Sequence, residues 1–203
     1  MKKKFLALAL AAAVMAPTTS AFAATIGGND TETHEGNITI NGSVRKSDGS
    51  AAAGKIEVEL PATANFTVDQ EGNFIGSNFS IINRSSTAVD VKIGSFLEEN
   101  RSGGIVINNQ LTNDASQASD SNHISQVGRN TIRLQLDGVA NGVSETVDLH
   151  EGVKDASFIT IPKNDTAEVQ VSGLAGIKKE ANEAVENGGV SENFTVKFKI
   201  SKA

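Results

Sequence analysis

The sequence predicts an all-β fold, a Greek-key β-sandwich of about nine to ten short strands with one short helix near residues 177–186. Two patterns carry this. Apolar residues recur at every second position in short runs along most of the chain, which is the period of strands with one face buried. The runs are separated by turn-forming clusters such as Ser47-Asp48-Gly49-Ser50 and Asp69-Gln70-Glu71-Gly72-Asn73. A third consideration sets the architecture: one short helix cannot cover a sheet of that size, whereas two sheets packed face to face cover each other.

The first 23 residues stand apart. Lys2, Lys3 and Lys4 precede the apolar run 5–16, and Pro17 leads to a small-residue site at Ala21-Phe22-Ala23. Charged start, apolar middle and A-x-A site are the layout of a secretory signal, with cleavage expected between Ala23 and Ala24. The apolar run is shorter than the roughly 20 residues of a spanning helix. A buried N-terminal helix would leave the lysines and the A-x-A site unexplained. The expected product is a bacterial protein that is secreted or held at the cell surface.

Residues 24–35 are small and polar, with Ile26 their one large apolar residue, and read as a flexible arm. Residues 36–203 read as a single sandwich domain. Its first strand is expected over 36–44, where Ile38 and Ile40 share one face and Thr39 and Asn41 the other. Further strands are expected over 55–60, 65–68, 74–83, 89–93 and 104–107, then 132–136, 143–149, 157–161, 167–171 and 194–200. Residues 112–122 are almost wholly polar or small and read as a mobile loop. Ile177, Ala181, Ala184 and Val185 recur at helical spacing before Asn187-Gly188-Gly189, which predicts the short helix as a connection over one end of the core.

Composition excludes several functions. Of 18 Lys and Arg, three leave with the signal, so 15 remain against 24 Asp and Glu, a net charge of −9. That balance repels phosphates and anionic lipid, so neither nucleic acid nor a membrane is expected as partner. The chain has no Cys, hence no disulfide, thiolate metal site or lipid-modified cysteine. Leu60-Pro61-Ala62-Thr63-Ala64 resembles a sortase signal, but it lies mid-chain with no hydrophobic tail after it.

No catalytic, metal or cofactor site is expected. His34, His123 and His150 are dispersed and read as solvated. Gly142-Val143-Ser144 lacks the second glycine of a nucleophile elbow. Glu98 and Glu99 are adjacent, so on a strand they point apart. Asp114, Asp120 and Asn122 share a loop, but their spacing matches no calcium loop of known mechanics and reads as solvated. With Trp and Tyr absent, no aromatic sugar platform is expected, and the seven phenylalanines after the signal read mostly as core. N-x-S/T triplets, such as those at Asn37, Asn41, Asn65, Asn78, Asn83, Asn100, Asn164 and Asn193, read as incidental in a bacterial chain.

The strand Gly36-Asn37-Ile38-Thr39-Ile40-Asn41-Gly42-Ser43-Val44 and the closing strand Asn193-Phe194-Thr195-Val196-Lys197-Phe198-Lys199-Ile200 resemble bacterial fimbrial and pilin-like β-sandwiches. That resemblance implies a non-enzymatic structural subunit of a surface fibre, pilus or matrix. Val58-Glu59-Leu60-Pro61, Phe66-Thr67-Val68 and Ile81-Ile82-Asn83-Arg84-Ser85 look like secreted Gram-positive surface proteins of the WxL kind. Those bind cell wall through Trp-containing motifs, and without Trp only their scaffold is implied here. Self-association or cell-surface components are the expected partners. Ile38, Ile40 and Val44 are candidate strand-donation residues, because an edge strand can complete a neighbour's sheet through backbone hydrogen bonds alone. The alternatives are that 36–44 is an ordinary first strand of its own sheet, or that the protein is a monomeric cell-wall adhesion module with specificity in loops 98–104 and 112–122.

Overall fold

A computed structural model describes residues 55–69, 71–98, 104–178 and 190–203, together with the backbone of two N-terminal strands at 22–29 and 34–37. Among these residues the chain is an all-β sandwich. The strands are β1 Phe22–Asn29, β2 His34–Asn37, β3 Lys55–Pro61, β4 Phe66–Val68, β5 Phe74–Gly76, β6 Asn78–Asn83 and β7 Val89–Glu98. They continue as β8 Val106–Ile107, β9 Thr131–Ala140, β10 Val143–Leu149, β11 Ala156–Ile161, β12 Thr166–Ala175 and β13 Phe194–Lys202. The larger sheet runs β1-β3-β6-β12-β9-β10, with β8 parallel to the start of β9. The smaller runs β11-β7-β13-β2, and β4-β5 form a separate hairpin.

Alternation in the sequence becomes burial in the structure. Ile56, Val58 and Leu60 of β3, Ile132, Leu134 and Leu136 of β9, and Val169 and Val171 of β12 face Val89, Val91 and Ile93 of β7 and Phe198 and Ile200 of β13 in one core. Their outward neighbours are polar and pair across strands. Arg133 forks onto both carboxylate oxygens of Asp148, Thr146 donates to Asp137, and Thr160 donates to Asp90. Strands β9 and β10 form a hairpin through Asn141 and Gly142, both at positive φ as such a two-residue turn requires. The chain then crosses to β11 in the facing sheet and returns as β12 beside β9, a Greek key folded across both sheets.

Two bulges set the inner surface. Ser95 pairs with Lys197 and Ile93 with Phe198, so Gly94 is an extra residue in β7 and lets both Ile93 and Phe96 face inward. In β11 the extra residue is Phe158, which turns both Phe158 and Ile159 into the core. They pack on Gly138 of β9, where an added Cβ would lie 2.7 Å from the Phe158 ring. At one end the β4-β5 hairpin closes the sandwich through a run of stacked rings: Phe74 on Phe66 at 5.1 Å, Phe66 on Phe194 at 6.0 Å, and Phe194 on Phe96 at 5.5 Å between centroids.

Three expectations change. Residues 24–35, read as a flexible arm, contribute β1 and the start of β2, because a sheet edge accepts any backbone that can extend and needs little from its side chains. The run 74–83 splits at Ser77, where Gly76 comes so close to the Val171 carbonyl that a Cβ there would collide with it. Loop 112–122 carries its own bonded structure, as described below. The helix expected near 177–186 lies mostly outside the described residues. Ile177 and Lys178, at its start, are not helical, and Lys178 forms a bridge with Gly128.

Candidate assembly surface

The side of the sandwich where the chain begins is built from four strands. Edge strand β1 pairs antiparallel with β3, from Ala24 opposite Leu60 to Asn29 opposite Lys55. Strand β2 is the edge of the other sheet, with His34 opposite Ile200 and Asn37 opposite Lys197 of β13. Since β1 and β2 are neighbours, one short N-terminal stretch seals the same flank of both sheets.

What lies beneath this seal is firmly held. Ile56, Val58 and Leu60 are fully buried. The direct β3–β6 pairing is short, Val58 with Asn83 and Glu59 with Ile82, and the turn after β6 extends it. There the Ser85 hydroxyl accepts from Glu57 N at 2.8 Å and donates to Glu57 O at 3.2 Å, while Arg84 N donates to the same carbonyl at 2.9 Å. On the outer face Arg84 Nε donates to the Glu59 carboxylate at 2.5 Å. Glu59 has only 2% of its side chain exposed, and its carboxylate raises the Arg84 guanidinium above its ordinary pKa.

Asn83 anchors this corner. Its amide donates to the carbonyls of Thr87 at 2.9 Å, Ile161 at 3.1 Å and Pro162 at 2.8 Å, and its Oδ1 accepts from Ser85 N at 2.9 Å. With no exposed surface, this one side chain ties the crossing from β6 to β7 to the crossing from β11 to β12. Asn83 shares the inward face of β6 with Phe79 and Ile81, but a polar residue closing an apolar run gives no local sign of which carbonyls it will bond.

Of the site residues expected from sequence, Ile38, Ile40, Val44 and Ala21 lie outside the described residues. Ala23 and Ala24 fall in β1, and the one irregularity in its register lies between Phe22 and Ala24. The expected cleavage point therefore coincides with that irregularity, and the ladder from Ala24 onward is unbroken. Nothing in the pattern of 24–29 announces a strand, because it contains Gly27, Gly28 and a single large apolar residue.

The opposite flank differs. There β10 and β11 are the edges, joined directly by residues 150–155; β10 is polar over Ser144–Glu145–Thr146, and β11 carries the Phe158 bulge. Both features discourage strand addition.

The polar stretch 108–126 is built from within. Leu111 is fully buried, Thr112 bridges to His123, and Asn108 Nδ2 donates to Asn122 Oδ1 at 3.0 Å. Asp114 accepts from both N and Oγ of Ser116, which holds its carboxyl below the usual range, and Asp120 accepts from Asn122 N at 2.8 Å. These carboxylates cap their own turns. His123, expected in solvent, is 8% exposed with Nδ1 2.7 Å from the Ser125 hydroxyl. Among the described residues no three His, Cys, Asp or Glu side chains gather as metal ligands, and no helix is long and apolar enough to cross a membrane.

Comparison of the chain with protein-family models, curated proteins and solved structures finds no match.

Proposed function

We propose that the chain is a non-enzymatic structural subunit of an extracellular bacterial fibre, pilus or matrix, assembled when the N-terminal region of one copy completes the sheets of the next. The observation that supports this reading is the common flank of β1 and β2. Two edge strands from one short terminal stretch hold their places through backbone pairing, and a second copy carries the same stretch.

The test is electron microscopy of the purified secreted chain beside a variant lacking residues 24–44. Filaments from the first and a folded, non-polymerising domain from the second are expected. Filaments that survive the deletion would remove strand donation, and the absence of filaments from the full secreted chain would remove the fibre reading.

A second reading, a monomeric cell-wall-associated adhesion module, is favoured by the internally bonded 108–126 loop, since binding residues often sit on loops positioned by a rigid scaffold. Monomers that sediment with isolated cell wall would support it.

A further inference from the structure

We infer that β1 is a removable cap on its own subunit, so that the free chain is self-sealed and polymerises by exchanging this strand rather than by filling an empty groove; the inference rests on the fibre-subunit reading above. Three observations combine here.

First, the edge beneath β1 is preformed. Strand β3 sets three fully buried side chains into the core, and the Ser85 hydroxyl and Arg84 amide, in the turn after β6, bond to Glu57. When β1 leaves, β3 remains in place with a row of free backbone donors and acceptors.

Second, the cap is a poor strand. Ala24-Thr25-Ile26-Gly27-Gly28-Asn29 sets two adjacent glycines opposite Glu57 and Ile56, and glycine in a strand interior weakens it through entropy and lost packing. The covered strand, with Ile56, Val58 and Leu60, is a far better strand former.

Third, the ladder from Ala24 to Asn29 is in unbroken register, so a terminus released at Ala24 loses none of it. A strand that is continuous, terminal and weakly held can leave and be replaced by an identical one with no net change in pairing. The barrier to assembly is then the opening of β1, and fibres should grow slowly after a lag and faster on addition of preformed ends.

The natural absence of cysteine makes the experiment clean. Asn29→Cys with Lys55→Cys in the full secreted chain places one cysteine pair across the β1–β3 ladder. Oxidised monomer is expected to form no filaments, and reduction is expected to restore wild-type growth, followed by light scattering and microscopy. Equal growth of oxidised and reduced protein, with wild-type filaments present, would overturn the cap while leaving the fibre reading intact. Absence of filaments from the wild type would remove the fibre reading itself. Failure of the pair to oxidise in the monomer would count against the cap in its closed form. As a second readout, excess synthetic peptide of residues 24–37 should shorten wild-type filaments at least several-fold, and unchanged lengths would count against exchange at this edge.

Discussion

Replacing Asn83 tests whether one buried amide holds the two sheet crossings together. Asn83→Ala removes two N–H donors that serve three carbonyls and one acceptor that serves Ser85 N, or about three hydrogen-bond equivalents. At about 1 kcal/mol each, plus the penalty for buried groups left unpaired, the expected loss is about 3–5 kcal/mol. With an m value of about 2 kcal/mol/M, that lowers the urea midpoint by roughly 2 M. Asn83→Asp is the sharper probe. It keeps the acceptor for Ser85 N but sets a carboxylate among three carbonyl oxygens, so at neutral pH it should be at least as unstable as the alanine variant. Its folded-state pKa must rise, because the neutral acid alone can donate to one of those carbonyls. A raised pKa means the destabilisation is present at high pH and relieved as pH falls, so Asn83→Asp should regain stability relative to Asn83→Ala on going from about pH 8 to pH 5. Urea titrations followed by far-UV circular dichroism across that range are the assay. A midpoint shift below roughly 0.5 M for the alanine variant, or two variants that keep a constant gap at all pH values, would refute the role given to this side chain.

Other outcomes follow from the same geometry. Gly138→Ala forces a methyl against Phe158 and should cost about 1–3 kcal/mol, recovered in part by Phe158→Leu in the same chain; additive losses would show that the two do not touch. Arg84→Ala takes one partner from a carboxylate that is 2% exposed, and because Arg84 itself is one third exposed the loss should be about 1–2 kcal/mol, checked by a double-mutant cycle with Glu59→Gln. Asp69, Asp114 and Asp155 all have lowered folded-state pKa values, from hydrogen bonds to Asn73, Ser116 and Lys199 respectively. Their stabilisation is complete above the unfolded Asp value of about 3.9 and is lost as pH falls through the lowered values, so the wild-type contribution from these three should be flat from pH 7 to 5 and decline below about 4.

The core was legible because burial imposes a period. Ile56, Val58 and Leu60, or Ile132, Leu134 and Leu136, alternate in the sequence as they do in the sheet. Partnership was not legible, since no local pattern tells β12 that it lies between β6 and β9. Bulges were hidden for a related reason: consecutive Phe158 and Ile159 break the alternation, and only the register against β7 shows that both face inward. His123 was misjudged because its loop is polar throughout, and the buried Leu111 that anchors the loop is one apolar residue among many polar ones. At the candidate surface the difficulty was greatest. An edge strand needs backbone more than side chains, so 24–29 looked like a tail.

The position of β13 has a consequence for how the protein comes into being. It is the last strand of the sequence, yet it lies inside the smaller sheet with β7 on one side and β2 on the other. A chain made from its N-terminus therefore delivers β2 and β7 long before the strand that joins them. Until residues 194–202 are in place, the edge of β7 away from β11 lacks the strand it pairs with. Contacts that span nearly the whole sequence are also the slowest to form. Folding is then a race between the docking of the nine residues of β13 and sticking of the unfinished sheet to another chain.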